Sequence, residues 1–349
     1  MKNITVQQVI DIAKEWIQNK YADRTDFIGA HLVGSLHHMP LDSVFPTYRD
    51  VDIAIILDSI DEQDIDDTNY KGLIIEAILV PSHRYTDGEQ LLGDACNASV
   101  FAAKHSILFD PKKQLEPIVQ KVQQEYNKKQ WVIKRRDEML KGAENAFKAL
   151  TKAQSRQEAL FAIGELNMNL IATLTIVHLA PLTHRRNMLQ LKQRIDSPEE
   201  QAVFEDLHHL LGSENFTKET ATAFLAQTIE AFDYAVSVHK TPVMYDHKLD
   251  PCVRPYLVQG TTEMFNEGGY RESIFWIALF LMISCAAIQA DGDDAAKAKY
   301  LPLAGKLLQD MGIANEEGLK ERVDFAGQLL AKVKNLSDNI IETSPLING

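Results

Sequence analysis

The sequence predicts an α+β protein, in which a sheet-containing N-terminal part is followed by an all-helical C-terminal bundle. Three observations lead to this prediction. Short apolar runs rich in Ile, Val and Leu crowd into the first third of the chain, and helical periodicity takes over from about Leu115. A chain of 349 residues also suffices for about two domains. The predicted boundary separates residues 1–115 from residues 116–349.

Five features are predicted along the N-terminal part: one helix, three strands and one loop. A first helix begins after Thr5, a residue type that caps helix N-termini, because apolar residues then recur at helical spacing. Strands follow at 27–33, 51–57 and 73–80, each bounded by Gly, Pro or charged residues. The acidic run 58–67 is interpreted as a solvated loop, since it lacks the ligand-and-glycine register of a calcium-binding loop.

Helical periodicity governs the rest of the chain. The predicted helices cover residues 117–126, 131–150, 156–179, 185–194, 199–211, 218–239, 274–290 and a segment ending near 333. The final octapeptide, ETSPLING, is expected to be frayed.

Composition and charge restrict the class of protein. Hydrophobic residues make up 45% of the chain and charged residues 24%, which is near the globular average and argues against wholesale disorder. The formal net charge of −13 opposes general binding to DNA phosphates or anionic membranes and favours a cationic partner. Three widely spaced cysteines form neither a disulfide framework nor a CxxC metal site and fit a reducing compartment.

The sequence also predicts a cytoplasmic protein with no membrane partner. The N-terminal residues MKNITVQQ lack the apolar segment of a signal peptide. The long uncharged stretch at 273–290 has about the minimum length of a membrane span, but it contains Ser, Cys and Gln, so a buried core helix is the favoured interpretation.

Polar residues at the ends of the predicted strands form the candidate site. The first strand leads into Gly34 and Ser35, where glycine permits a sharp turn and backbone N–H groups can hold phosphate oxygens. Asp50 and Asp52 stand two apart at the start of the second strand, so their side chains project from the same sheet face. Two carboxylates on one face make an oxygen-rich site suited to Mg²⁺.

Glu76 supplies a third carboxylate. It lies inside the apolar third strand, where an ionised carboxylate is costly to bury unless it is paired or bound to a cation. If this strand lies beside the second, three carboxylates converge, and metal-assisted phosphoryl or nucleotidyl transfer is the natural chemistry. Each feature also has a structural interpretation: a simple Gly-Ser turn, an exposed Asp-x-Asp strand terminus, or a glutamate that pairs with Arg49 or Arg84.

Taken in this order, the motifs resemble those of the nucleotidyltransferase superfamily that includes DNA polymerase beta, and within it the bacterial antibiotic nucleotidyltransferases with a helical C-terminal domain. The family pattern is Gly-Ser, a spacer, Asp-x-Asp and a carboxylate on a neighbouring strand, here Gly34, Ser35, Asp50, Asp52 and Glu76. The resemblance covers about the first 110 residues, and it implies a mixed sheet with flanking helices. The spacer between Ser35 and Asp50 is longer than in the antibiotic-modifying relatives.

The resemblance implies an activity and a set of roles. Family members bind Mg²⁺ and a nucleoside triphosphate and transfer the nucleoside monophosphate to a hydroxyl group, with release of pyrophosphate. Ser35 would contact the terminal phosphates, Asp50 and Asp52 would hold two metal ions, and Glu76 would act as ligand or general base. ATP is the expected donor, and a small, cationic, hydroxyl-bearing molecule such as an aminoglycoside is the expected acceptor.

The resemblance also gives the two predicted domains their roles. Residues 1–115 would form the catalytic domain, and residues 116–349 a helical domain with a substrate or nucleotide cleft and a surface for oligomerisation. Glu165 is a second candidate base, because some aminoglycoside nucleotidyltransferases use a glutamate of the helical domain; an internal hydrogen-bond network is the alternative. Arg185 and Arg186 are candidates to neutralise the triphosphate, with a solvated helix face as the alternative.

Two other functions stay open at this point. One is adenylylation of a protein or RNA acceptor, although the sequence lacks the basic, aromatic-interleaved surface expected for RNA. The other is an inactive nucleotide-binding or scaffold protein of the same fold, in which three costly carboxylates would have no reason to persist. In the spacer, His37 and His38 are candidates to contact the triphosphate or the base, and a mobile surface loop is the favoured interpretation.

Overall fold

The computed structural model describes residues 4–66 and 68–349. Over these residues the predicted α+β class is confirmed, with a mixed sheet and flanking helices followed by a helical C-terminal region. Residue 67, the last of the acidic run, and residues 1–3 of the N-terminal octapeptide lie outside the described residues.

Within the described residues, six strands form one sheet. They are β1 (Phe27–Leu32), β2 (Val51–Leu57), β3 (Asp64–Ile65), β4 (Thr68–Tyr70), β5 (Leu73–Pro81) and β6 (Ile107–Phe109). The strand order is β3-β5-β2-β1-β6, and β4 also pairs with β5. Strand β1 runs antiparallel to β2 and β6, whereas β2 runs parallel to β5. The three central strands are the three that the apolar runs predict.

The helices account for most of the remaining chain. They are α1 (Val6–Lys20), α2 (Gly88–Leu92), α3 (Ala98–Ala102), α4 (Glu116–Glu125), α5 (Lys129–Leu150), α6 (Arg156–Val177), α7 (Asn187–Lys192), α8 (Pro198–Leu211), α9 (Lys218–Val238), α10 (Arg254–Asn266), α11 (Ile274–Asp291), α12 (Asp294–Asp310) and α13 (Glu316–Thr343). Helix α10 is not predicted from the sequence. The segment predicted to end near 333 is two helices, separated by Gly312 in a left-handed conformation (φ 75°), and the second helix continues past the predicted end to Thr343.

Side chains of β2 alternate between two hydrophobic cores. Val51, Ile53 and Ile55 enter the core that α1 covers, and α1 begins at Thr5 as predicted, with a reciprocal capping box to Gln8. Ala54 and Ile56 enter the second core, which α2, α3 and α4 cover. Burial on both faces explains why the central strands read as apolar runs and fixes their register.

The described chain divides into two compact units. The first contains the residues up to Met139, together with 172–184 and 337–349. The second contains 140–171 and 185–336. Helices α5, α6 and α13 therefore each contribute residues to both units. The predicted division at residue 115 also assigns a catalytic role to the first part and a substrate or nucleotide cleft to the second. That division stays a prediction.

The C-terminal tail is held by the first unit. The Asn348 N–H donates to the Asn127 carbonyl at 3.0 Å, and the Lys129 N–H donates to the Asn348 carbonyl at 2.7 Å. The side chain of Ile347 packs against a core cluster that contains Val132. The expectation of a frayed tail is wrong, because main-chain hydrogen bonds and apolar burial both anchor it.

Two of the described helices, α6 and α11, are long and apolar enough to cross a membrane by length and composition. In their most apolar windows, 72% and 56% of the residues are buried inside the protein. Burial of this kind is typical of core helices in soluble proteins, which agrees with the interpretation of residues 273–290 as a core helix.

Candidate metal centre

The three acidic side chains singled out in the sequence converge on the sheet. Among the described residues, Asp50, Asp52 and Glu76 form a group whose carboxylate oxygens, one from each residue, lie within 4.8 Å of one another. All three side chains are half-buried. The parallel pairing of β2 with β5 places Asp52 directly beside Glu76. Since neighbouring strands lie about 4.8 Å apart, this register alone brings the two carboxylates together.

The position of the acids on the sheet follows from strand alternation. Asp52 and Glu76 share a sheet face with residues of the second core, but they stand near the start of their strands. Their neighbours Val51, Ile53 and Ile75 are fully buried on the opposite face. The buried neighbours fix the backbone of both strands, so the carboxylates extend from a rigid support.

Gly34 lies directly against the Asp52 carboxylate. Its φ is +58°, and a Cβ atom at this position would overlap the carboxylate group. The Val33 N–H donates to the Asp52 carbonyl at 2.9 Å, which ties the turn to β2. Glycine is therefore required here both for its conformation and for the space it leaves. Ser35 follows and starts the 3-10 turn Leu36–His38.

The donor set fits a hard divalent cation. Three carboxylates held this close repel one another, and a bound cation would relieve that repulsion. Carboxylate oxygens are the ligands that Mg²⁺ uses, usually with water and substrate phosphates completing its octahedron. The three acids converge as predicted for adjacent second and third strands, and their catalytic role stays a prediction.

The two arginines offered as structural partners of Glu76 lie at different places. Arg84 is exposed and follows the carboxyl end of β5, whereas Glu76 lies near its amino end. Arg49 immediately precedes Asp50, and its Nη1 lies 3.8 Å from the Met39 sulfur. Of these two arginines, only Arg49 is adjacent in sequence to one of the three carboxylates.

The spacer after Ser35 packs against the fold. Leu36, His37 and Phe45 are buried, with exposures of 2%, 4% and 2%. The Val6 N–H donates to the Ser43 carbonyl at 3.0 Å, which joins the spacer to the start of α1. The expectation of a mobile surface loop is wrong for His37, because its ring is interior. Burial lowers the pKa of His37 to about 4, and the adjacent His38 ring acts in the same direction.

The remaining candidates lie in the second unit. Glu165 is exposed on α6, and its backbone carbonyl accepts a hydrogen bond from Asn169. The Arg185 guanidinium stacks 4.2 Å from the centre of the Tyr256 ring and donates to the Thr261 hydroxyl at 2.7 Å. Arg186 forms ion pairs with Glu263 of α10 and with Glu267, which directly follows that helix. These contacts are internal to the second unit, and the assignment of the three residues to base and triphosphate stays a prediction.

No protein family model matches the chain, and no curated protein matches it. Among solved structures, the chain is similar to the crystal structure of a nucleotidyltransferase-like protein from Exiguobacterium sibiricum 255-15, with a TM-score of 0.34 and 13% identity. The alignment covers 74% of this chain and 92% of that one. A similarity this low assigns no activity to this chain.

Proposed function

We propose that the protein is a metal-dependent nucleotidyltransferase. In this proposal it moves a nucleoside monophosphate, by default AMP from ATP, to a hydroxyl group of a small molecule and releases pyrophosphate. The observation that carries the proposal is the convergence of Asp50, Asp52 and Glu76 within 4.8 Å on a mixed sheet. A cluster of hard oxygen ligands is what a Mg²⁺-bound triphosphate requires.

The side chains of the site have distinct tasks in this reaction. When held by these residues, Mg²⁺ would neutralise charge on the phosphate oxygens and ease deprotonation of the acceptor hydroxyl group. Asp50 and Asp52 hold the cation, and Glu76 completes the site as ligand or as base, with Glu165 as the alternative base. The bond from the acceptor oxygen to the α-phosphorus forms while the bond to the pyrophosphate oxygen breaks. The base takes the hydroxyl proton.

The acceptor is proposed to be small, cationic and rich in hydroxyl groups, as aminoglycosides are. The formal charge of −13 favours cationic molecules over DNA or anionic membranes. A cytoplasmic location, where ATP and Mg²⁺ are abundant, belongs to the same proposal.

A binding experiment tests the proposal directly. The melting temperature of the native chain is measured with ATP, GTP, CTP and UTP, each with and without Mg²⁺, because a ligand that binds only the folded state raises it. We expect a Mg²⁺-dependent rise with one nucleotide, loss of that rise in Asp52→Asn, and retention in Asp61→Asn, which removes an exposed carboxylate of the acidic run. With the donor identified, transfer of the α-phosphate label to aminoglycosides is expected to fall about 100-fold or more in Asp52→Asn.

The outcomes separate the competing functions. If no nucleotide raises the melting temperature, the transferase proposal is wrong and an inactive scaffold becomes the better account. A nucleotide shift that persists in Asp52→Asn would show that the acids are structural. A shift without transfer to small molecules would instead direct the search to protein or RNA acceptors.

A further inference from the structure

One buried side chain beside the candidate metal centre has unused hydrogen-bonding capacity. His37 is 4% exposed, and among the residues that the structure describes neither of its ring nitrogens has a hydrogen-bond partner. The Gly34 backbone acts on the ring as a weak hydrogen-bond acceptor that raises the pKa of His37, but it lies outside the geometry of a full hydrogen bond. A buried polar group in this condition destabilises the folded state and requires an explanation.

His31, six residues earlier, shows how a buried histidine is normally accommodated in this fold. Its ring is fully buried, and Nδ1 lies 2.8 Å from the Leu32 carbonyl while Nε2 lies 3.0 Å from the Tyr85 hydroxyl. A carbonyl only accepts, so Nδ1 donates to Leu32 and Nε2 accepts from Tyr85. The two histidines are equally interior, and only His37 lacks partners for both nitrogens.

The location of His37 identifies what its ring can meet. The residue lies in the turn that follows Gly34 and Ser35, and Gly34 lies against the Asp52 carboxylate. A ligand held by the three carboxylates would therefore place its oxygens next to this turn. A neutral imidazole carries one N–H donor. This N–H can donate to a phosphate oxygen, whereas a hydrophobic residue at the same position could not.

We propose that His37 hydrogen-bonds a phosphate oxygen of the metal-bound nucleotide. The inference rests on the proposed function, and it adds to the site a residue outside the Gly-Ser and carboxylate pattern. In the ligand-free protein the ring is retained at a cost to stability, and that cost is recovered when the ligand binds. Residues that are unfavourable for folding and useful for binding are a recurring feature of functional sites.

The test compares stability and binding in variants of the full chain. His37→Phe removes both nitrogens and keeps an aromatic ring, so the ligand-free melting temperature is expected to stay the same or rise. The dissociation constant for Mg²⁺-tripolyphosphate and for Mg²⁺ with the nucleotide is expected to increase about tenfold, the value of one hydrogen bond. His37→Gln retains a donor and an acceptor and is expected to recover part of the binding. It also provides the measurement if the larger Phe ring impairs folding.

His31→Phe is the matched control. It removes a buried ring whose nitrogens are both bonded, so it is expected to lower the ligand-free melting temperature and leave both dissociation constants unchanged. Unchanged binding in the His37 variants would overturn the inference alone. Weaker nucleotide binding with unchanged tripolyphosphate binding would also overturn it, because the contact would then be to the nucleoside. If the native chain binds neither ligand, the proposed function fails as well.

Discussion

At the scale of single residues, the contact between Gly34 and Asp52 fixes one carboxylate of the candidate centre. The left-handed conformation of Gly34 and the missing Cβ allow the turn to lie against the Asp52 side chain. The turn thus limits where this carboxylate can go. Any residue other than glycine would have to move the carboxylate, the turn or both.

We expect Gly34→Ala to lower the free energy of unfolding by about 1–3 kcal/mol, since it adds strain and a steric overlap. The Mg²⁺-dependent nucleotide shift should disappear, because the overlap displaces Asp52. Gly268→Ala is the matched control: φ there is also positive, +80°, but nothing lies within 4 Å of the added Cβ. It is expected to cost only the conformational strain, about 1 kcal/mol, and to keep the shift.

Urea denaturation and nucleotide titration of both variants provide the measurement. An unfolding free energy that falls equally in the two variants, with the nucleotide shift intact in each, would show that Gly34 does not position Asp52.

Residue types at the centre are well predicted by the sequence, and their environments are less so. The spacing of Asp50 and Asp52 places them on one face, because strand alternation is local. The burial of His37 is not predictable in this way, since two adjacent histidines and a proline are typical of surface loops. Its ring is interior because the spacer packs against α1. No periodic pattern in the sequence marks that contact.

At the scale of elements, a buried carboxylate joins three helices of the second unit. Glu272 precedes α11 and is 3% exposed, and the Lys192 ammonium at the end of α7 donates to it at 2.9 Å. The ring of His208 on α8 lies 3.8 Å away. Burial opposes ionisation of Glu272, but the attraction of His208 and Lys192 and of its own backbone N–H outweighs it and lowers the pKa to about 2.

This lowered pKa predicts a specific dependence of stability on pH. A carboxyl group whose pKa is lower in the folded state stabilises that state above its ordinary pKa of about 4.5, and the stabilisation is lost as pH falls towards 2. Glu272→Gln is therefore expected to lower the free energy of unfolding by about 3 kcal/mol at pH 7. The difference from the native chain should shrink below pH 4.5 and vanish near pH 2.

Chemical denaturation at several pH values measures that difference. The exposed Glu144 on α5 provides the control, because Glu144→Gln should leave the curve almost unchanged. A constant difference between the native chain and Glu272→Gln from pH 7 to pH 2 would contradict the assigned ionisation.

Among the strands, the long ones are predicted from the sequence and the short ones are not. Strands β1, β2 and β5 stand out because burial on both faces makes them continuously apolar. Strands β3, β4 and β6 have two or three residues, too few to show alternation. Helix α10 contains Gly260 and adjacent threonines, which weaken its helical signal. The parallel register that sets Asp52 beside Glu76 joins two strands separated in the sequence. The sequence therefore shows only that the carboxylates would converge if these strands were neighbours, and it does not predict that they are.

At the scale of the whole molecule, the sheet-containing unit includes both the beginning and the end of the described chain. The tail after α13 adds main-chain hydrogen bonds and the side chain of Ile347 to the region around Asn127 and Lys129. Helical periodicity cannot predict these contacts, because they are made by backbone groups of an irregular segment. The same unit also contains residues 172–184 of the central chain.

Deletion of residues 344–349 is therefore expected to lower the free energy of unfolding by about 1–3 kcal/mol, the sum of two main-chain hydrogen bonds and partial burial of one isoleucine. Asn348→Ala is the control, because the hydrogen bonds of this residue to Asn127 and Lys129 come from its backbone. It should unfold like the native chain in a thermal melt. Equal stability of the deletion and the native chain would show that the tail contributes nothing to the unit.

The parallel pairing of β2 with β5 has a consequence for how the protein can diverge. Parallel neighbours need a long crossover, and here it runs from residue 58 to residue 72 and carries β3, β4 and the exposed acidic residues Asp61 and Glu62. The pairing register, not the length of this crossover, sets the distance between Asp52 and Glu76. Insertions and deletions near Asp61 and Glu62 would therefore leave the spacing of the two carboxylates unchanged. Descendants of this chain can thus change the surface beside the sheet and keep the candidate metal centre.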